Sequence, residues 1–223
     1  KTIVPFLTGA EMKILLEQPN TATNVGRRDF ILLVILYDTA ARVQELIVLK
    51  NKDIRISKPA VITLTGKGNK TRQVPIMDKT KKLIENYLIN QKVNNAISKG
   101  ENYLFVNQRN QKLSLWGVSY IINKYVVLAK QNPKFTVPFP VTLHVFRHSK
   151  SMHLLQSGIN LIYIRDFLGH CDCSTTEIYA RADTEMKRKA IEEAYSDILP
   201  STDLPIWGDD TDLMRFLNSI CKK

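Results

Sequence analysis

One unbroken apolar run, residues 30–37, constrains the fold of this chain more than any other feature. Charged residues enclose it, with Arg27, Arg28 and Asp29 before it and Asp38 after it. The run is far shorter than the roughly 20 apolar residues that a membrane-spanning helix requires. We therefore expect a buried central helix over about residues 24–37, and no membrane segment.

Further helices are predicted around this segment from apolar spacing and capping residues. Thr8 and Glu11 form a capping box that begins the first helix. Thr142 is placed to act as the N-cap of another helix. The remaining helices are expected at residues 43–49, 79–94, 114–130, 143–156, 161–167 and 184–194.

The pattern changes from helical to extended between residues 53 and 75. Residues 61–65 are rich in β-branched side chains, Gly66-Lys67-Gly68-Asn69 suits a turn, and residues 71–76 are extended again. A hairpin with Lys67 at its tip follows. The expected fold class is therefore mainly α with a small antiparallel β-hairpin, an α+β domain.

Three stretches of the chain differ in character. Residues 1–7 are expected to be the end of an interdomain linker, residues 8–198 the main domain, and residues 199–223 a C-terminal tail. The tail ends in a short amphipathic helix whose apolar residues are Leu213, Phe216, Leu217 and Ile220. Because so short an apolar stripe is unstable alone, this helix must dock on its own domain or on a neighbouring subunit.

The net charge of +11 favours a polyanionic partner, of which nucleic acid is the commonest. Ribosomal proteins, heparin binders and membrane-surface proteins are also basic, so charge alone does not decide between them. Cys171, Cys173 and Cys221 make an odd, sparse set that is typical of reduced thiols in a cytoplasmic protein. The start of the chain, without Met or a secretion signal, predicts a fragment of a longer protein.

Several polar residues are candidates for chemistry, and each also has an ordinary explanation. His144, Arg147 and His148 share one helix face, which is either a reactive cluster or a solvated polar face. Gly169 suits the end of a helix and leaves His170 in a fixed turn. Ser174 and Glu177 form a capping box before Tyr179, which is either a reactive phenol or an ordinary core or surface aromatic.

Two further candidates lie earlier in the chain. Arg42 and Glu45 are one helical turn apart, so the carboxylate either orients the guanidinium or forms a surface ion pair of about 0.5 kcal/mol. Lys67 either carries chemistry or only makes the loop soluble. Cys171 and Cys173 beside His170 are too few and too crowded for a structural zinc site, so no metal is expected.

Taken in order, these residues resemble the active-site pattern of the tyrosine recombinases, the integrase family of phages and mobile elements. The matching segments are Ala41-Arg42-x-x-Glu45-Leu46, Gly66-Lys67-Gly68-Asn69-Lys70-x-Arg72-x-Val74-Pro75, His144-x-x-Arg147-His148-Ser149 and Leu168-Gly169-His170, with Tyr179 nine positions later. The chain departs from the usual pattern at Ala40, where Gly is common, and at Leu143, where Pro is common. Neither departure removes a functional group.

The resemblance implies a role for each residue. Tyr179 would be the nucleophile of a 3′-phosphotyrosyl intermediate, and Arg42 and Arg147 would hold the nonbridging phosphate oxygens. Lys67 would protonate the leaving 5′ oxygen, His144 would assist proton transfer at the tyrosine, and His170 would hydrogen-bond the phosphate. Glu45 would orient Arg42 from behind.

The resemblance also implies partners and cofactors. The substrate would be double-stranded DNA at crossover sites, cut without metal, ATP or another cofactor. Homotetramers would form on DNA through a C-terminal helix exchanged between protomers. Two alternatives stay open: a type IB topoisomerase that relaxes DNA without exchanging partners, and a recombinase-derived DNA-binding module without catalysis.

Overall fold

Seven α-helices and a three-stranded sheet form the part of the chain that the computed structural model describes, residues 4–94, 102–169 and Thr176. The helices are α1 (Gly9–Leu16), α2 (Asn24–Asp38), α3 (Val43–Ile47), α4 (Asp78–Asn94), α5 (Leu115–Ala129), α6 (Leu143–Gln156) and α7 (Leu161–Leu168). The strands are β1 (Ile54–Arg55), β2 (Val61–Thr65) and β3 (Thr71–Pro75). The predicted class, mainly helical with a small antiparallel sheet, is confirmed.

The central helix α2 forms as the apolar run predicts. Its residues Leu32, Leu33, Ile35 and Leu36 are completely buried, and it packs against α1, α4 and α6. The flanking Asp29 is also buried, where it accepts hydrogen bonds from Arg28 and from the hydroxyl of Tyr125. A carboxylate in the core is tolerated because charged and hydroxyl donors surround it.

The predicted hairpin is confirmed, and the sheet that contains it has one strand more than expected. Strands β2 and β3 pair antiparallel from Val61 with Pro75 to Thr65 with Thr71, and Gly68 in the turn adopts a left-handed conformation with φ of 72°. Strand β1 adds a third, antiparallel member beside β2. A strand of two residues is too short to show an alternating pattern, which explains why the sequence predicts only the hairpin.

The helix predictions hold within one or two residues for α1 to α7, and the capping box of Thr8 and Glu11 forms. Thr142 occupies the N-cap of α6, but the expected capping bond from its side chain is not made. Val4 and Leu7 are buried in the domain, and the linker assigned to residues 1–7 stays a prediction. The helix expected at residues 184–194 and the tail at 199–223 lie outside the described residues. None of the described helices is long and apolar enough to cross a membrane.

Candidate active site

The junction between α2 and α3 places Arg42 at the N-cap of α3. Before it, Ala40 is completely buried and has a φ of 48°, in the left-handed region that favours glycine. The Arg42 side chain is 46% exposed, and only one of its guanidinium nitrogens donates to a described residue. The junction thus presents a guanidinium that retains donors for a ligand.

Glu45 lies behind Arg42 and is almost fully buried, with 1% of its side chain exposed. Its Oε2 accepts from the backbone N–H of Arg42 at 2.7 Å. Its Oε1 accepts from Nη1 of Arg42 at 3.2 Å and from Nη1 of Arg72 at 2.5 Å. The Arg42–Glu45 contact is present, and the alternative of a surface ion pair is wrong because Glu45 is buried. That Glu45 orients Arg42 for chemistry stays a prediction.

The electrostatics of Glu45 follow from these contacts. Burial acts to raise its pKa, but the hydrogen bonds from Arg72 and the Arg42 backbone, with the charges of both guanidinium groups, lower the pKa overall. Glu45 is therefore a carboxylate at neutral pH. It holds two cationic side chains of different elements at a single point.

Arg147, on α6, is buried, with 6% of the residue exposed. Its Nη1 donates to the carbonyl of Ala40 at 2.7 Å, and its Nη2 donates to the carbonyl of Leu168 at 2.6 Å. The fork of the guanidinium is thereby fixed in orientation by two backbone oxygens. The alternative of a solvated polar face is wrong for this residue.

The two histidines of the same motif differ in exposure. His144 is exposed and His148 is half-buried, and their ring centroids are 6.4 Å apart, as the spacing on one helix face predicts. Burial and the neighbouring charges of His144 and Arg147 lower the pKa of His148. The exposed His144 lines a groove between α5 and the start of α6, with Ser119 and Asn123 on the α5 side.

Arg72, on β3, is a member of the site to which the sequence motif assigned no role. Its Nε donates to the carbonyl of Phe167 at 3.1 Å, while its Nη1 binds Glu45. Arg72 and Arg147 thus both donate to backbone carbonyls at the C-terminal end of α7, where the helix dipole favours cations. We refer to Arg72 and Arg147 as the arginine clamp. In the sequence, Arg72 was marked only by its place in the hairpin motif, two positions after Lys70.

The arginine clamp closes a ring of contacts between four elements. Arg147 connects the α2–α3 junction to the last turn of α7, and Arg72 connects that turn to Glu45 and thus back to Arg42. Gly169 then ends α7 in a left-handed conformation, as predicted, with φ of 65°. The clamp therefore fixes the backbone immediately before His170.

The ring brings together part of the predicted site. Arg42 bonds Glu45, Arg147 bonds the carbonyl of Ala40 two residues before Arg42, and the hairpin turn that contains Lys67 begins at Gly66, beside Glu45. His144 lies one turn before Arg147 on α6. His170 and Tyr179 are outside the described residues. Among the residues that are described, no group of His, Cys, Asp or Glu could hold a metal ion.

Comparisons with known proteins place this chain in a family. A family model described as the phage integrase family matches residues 5–186. A putative integrase/recombinase of Sinorhizobium fredii is 33% identical over 99% of this chain and 64% of its own length. The tyrosine recombinase XerA of Pyrococcus horikoshii is 36% identical over 87% of this chain and 62% of its own length. The chain thus spans a little under two thirds of these relatives.

A solved structure of a XerA recombinase shares the fold, with a TM-score of 0.71 and 24% identity over 87% of this chain and 67% of that one. A XerH site-specific recombinase bound to its difH substrate, in a post-cleavage complex, has a TM-score of 0.69 and 25% identity. That match covers 86% of this chain and 53% of the other.

Proposed function

We propose that this chain, which belongs to the phage integrase family, is the catalytic domain of a site-specific DNA recombinase. The observation that carries the proposal is the ring of contacts that holds Arg42 and Arg147 at one junction of the fold. Both side chains are planar forks of donors, which match the nonbridging oxygens of a phosphate and bind more strongly as charge develops on them. Glu45 and the carbonyl oxygens of Ala40 and Leu168 hold these forks in place before substrate arrives.

The proposed reaction breaks one DNA strand by transfer of a phosphoryl group to the protein. The Tyr179 oxygen attacks the phosphorus, the bond from phosphorus to the 5′ oxygen breaks, and a 3′-phosphotyrosyl intermediate forms. The phenol proton leaves with the help of His144, and Lys67 supplies a proton to the departing 5′ oxygen. A 5′ hydroxyl from a partner strand reverses the steps, so that rejoining needs no ATP.

The remaining site residues act on the phosphate or on the groups that bind it. His170 is proposed to donate a hydrogen bond to the phosphate, and Glu45 to orient Arg42. Two guanidinium groups supply the charge stabilisation that a metal ion would supply in other phosphoryl-transfer enzymes, so the reaction requires no cofactor. The substrate is double-stranded DNA, in keeping with the net charge of +11.

Covalent capture on a randomised pool of DNA tests the proposal and selects the target sequence in the same step. The protein is incubated with nicked duplexes that have a randomised core, and DNA that survives denaturation while attached to protein is sequenced. We expect one sequence to be enriched and the attachment to map to Tyr179. With Tyr179→Phe, DNA binding should remain and the adduct should vanish. An adduct on the Phe variant would refute the assignment.

Recombination and relaxation are separated by a second experiment. Plasmids that carry two copies of the captured sequence should be recombined, whereas plasmids without it should keep their supercoils. Relaxation of plasmids lacking the site would instead indicate a type IB topoisomerase activity. If the captured sequence lies at the ends of the element that encodes the chain, the protein is the integrase of that mobile element, as we propose.

Assembly on DNA is the last part of the proposal. We propose cyclic homotetramers on two DNA sites, with the helix expected in the tail at 199–223 exchanged between protomers, in a protein that works on DNA in the cytoplasm. Deletion of the residues after Pro205 should abolish cooperative assembly in a gel-shift titration on the captured site. Unchanged cooperativity after this deletion would contradict the exchange.

A further inference from the structure

We infer that Arg72 is a positioning residue for the reaction: it ties the hairpin that contains Lys67 to the phosphate-binding arginines and thereby sets where the leaving oxygen receives its proton. This inference rests on the proposed function. It concerns a residue that does not itself touch the substrate, and it is carried by three contacts of Arg72.

The first contact joins Arg72 to the hairpin turn through Glu45. Arg72 pairs with Leu64 across the ladder, and the ladder continues through one more pair to the Gly66 N–H, which donates to the Lys70 carbonyl at 2.8 Å. A Cβ on Gly66 would lie 3.3 Å from Oε1 of Glu45, the same oxygen that accepts from Arg72. The start of the turn therefore lies close to the same buried carboxylate oxygen that Arg72 bonds.

The second and third contacts join Arg72 to the end of α7. Its Nε donates to the Phe167 carbonyl, and a Cβ on Gly169 would lie 2.9 Å from Cδ of Arg72, so the backbone there runs directly against the arginine. A displacement of Arg72 would thus shift two parts of the site at once: the turn that contains Lys67 and the residue before His170.

The hydrogen bonding of Arg72 indicates what each replacement of this residue would remove. Its Nη2 is buried and finds no acceptor in the described part of the chain. A buried donor without a partner costs free energy. An apolar side chain of similar volume would avoid that cost, but it would also leave the buried Glu45 carboxylate without one of its cationic partners, which is destabilising. A lysine would restore the charge but could not reach Glu45 and the Phe167 carbonyl with one rigid fork.

The consequence for chemistry is specific to one bond. When the phosphorus–O5′ bond breaks, the electron pair goes to O5′, and the proton from Lys67 must arrive there. Misplacement of the turn would leave the arginines bound to the phosphate but the leaving oxygen without its proton. If sulfur replaces O5′, a thiolate leaves, and since thiols have a pKa of about 8.5 this leaving group needs no proton.

The test compares cleavage of the captured site with oxygen and with sulfur at the 5′ bridging position, as single-turnover rates of adduct formation. Arg72→Met and Arg72→Lys should be slower by about 10²-fold on the oxygen substrate, the usual contribution of a general acid, and close to wild type on sulfur. Lys67→Ala should behave in the same way. Arg147→Ala should be slow on both substrates, since charge still develops on the nonbridging oxygens.

A matched control is Arg55→Met. This exposed arginine lies on the same sheet, and within the described part of the chain its guanidinium donates a hydrogen bond to the Pro59 carbonyl at 3.4 Å. Its ratio of oxygen to sulfur rates should equal that of the wild type, whatever happens to DNA affinity. Gly66→Ala is a second probe, because the added methyl should press on Glu45 and reproduce the selective defect with Arg72 in place.

If the Arg72 variants are slowed equally on both substrates, or are not slowed at all, the inference is wrong. The proposed function is unaffected by that result as long as the wild type forms the adduct. If circular dichroism shows that Arg72→Met does not fold, the ratio of oxygen to sulfur rates of Arg72→Lys and Gly66→Ala tests the inference instead. If the wild type forms no adduct on either substrate, the proposed function fails and the inference fails with it.

Discussion

Glu45→Gln is the substitution that most directly probes the ring of contacts. Gln keeps the shape of the side chain but has one acceptor oxygen in place of two, so its amide N–H₂ must face either the Arg42 backbone N–H or the two guanidinium groups. One charge-assisted hydrogen bond of about 1.5–3 kcal/mol is lost, and the others weaken. The half-exposed Arg42 side chain adds about 0.5 kcal/mol. We expect the free energy of unfolding to fall by about 2–4 kcal/mol at neutral pH.

The effect of Glu45→Gln on stability should depend on pH. The folded-state pKa of Glu45 lies below its ordinary value of about 4.3, so its contribution to stability is complete above that value and is lost as pH falls through the lowered pKa. The difference in unfolding free energy between wild type and Glu45→Gln should therefore be constant above about pH 5 and shrink in acid. Urea denaturation across this range measures it.

The control for this experiment is Glu85→Gln, which removes one member of a partly exposed pair with Lys81 at 3.9 Å. It should change the free energy of unfolding by at most about 0.5 kcal/mol at every pH. A loss below about 1 kcal/mol for Glu45→Gln, or a difference from wild type that stays the same in acid, would refute the buried charge-assisted contact.

Three smaller predictions concern the same region. Ala40→Gly should leave the unfolding free energy within about 1 kcal/mol of wild type, because release of left-handed strain offsets the lost methyl and the added chain entropy. Ala41→Gly releases no such strain and should lower the unfolding free energy by about 1–2 kcal/mol. Equal losses for the two variants in urea denaturation would contradict this prediction. The His148 ring should titrate below about pH 6.5 when followed by NMR, and protein stability should fall as the pH drops through that region. A titration midpoint of His148 above about pH 6.5 would contradict this prediction. Gly169→Ala should cost more than about 1 kcal/mol because of its positive φ, while Gly9→Ala, which meets nothing within 4 Å, should cost nothing; thermal melts compare the two.

Local spacing predicted the parts of the site that are close in sequence. Arg42 and Glu45 are one helical turn apart, and His144, Arg147 and His148 follow the same rule, so their pairings could be read from the chain. Gly169 was recognisable as a helix end because glycine suits the left-handed residue there. The hairpin was visible in its β-branched residues and its Gly-rich turn.

Contacts between distant segments could not be predicted in the same way. Arg72 and Phe167 are 95 residues apart, and Arg147 and Ala40 are 107 apart, so no periodicity connects them. Burial of Glu45 is also a tertiary effect, since the same i, i+3 spacing occurs in exposed pairs. The left-handed φ of Ala40 had one indirect sign, the family's usual glycine at that position, and a single alanine does not reveal its backbone conformation.

The central claim is that buried Arg147 stabilises charge on the scissile phosphate. The direct measurement is adduct formation at Tyr179 by Arg147→Ala on two substrates: the captured site with a normal phosphate, and the same site with a methylphosphonate, which lacks one charged nonbridging oxygen. The account predicts a loss of at least about 10²-fold on the phosphate and a far smaller loss on the methylphosphonate, because less charge needs stabilising. An equal loss on both substrates would contradict it.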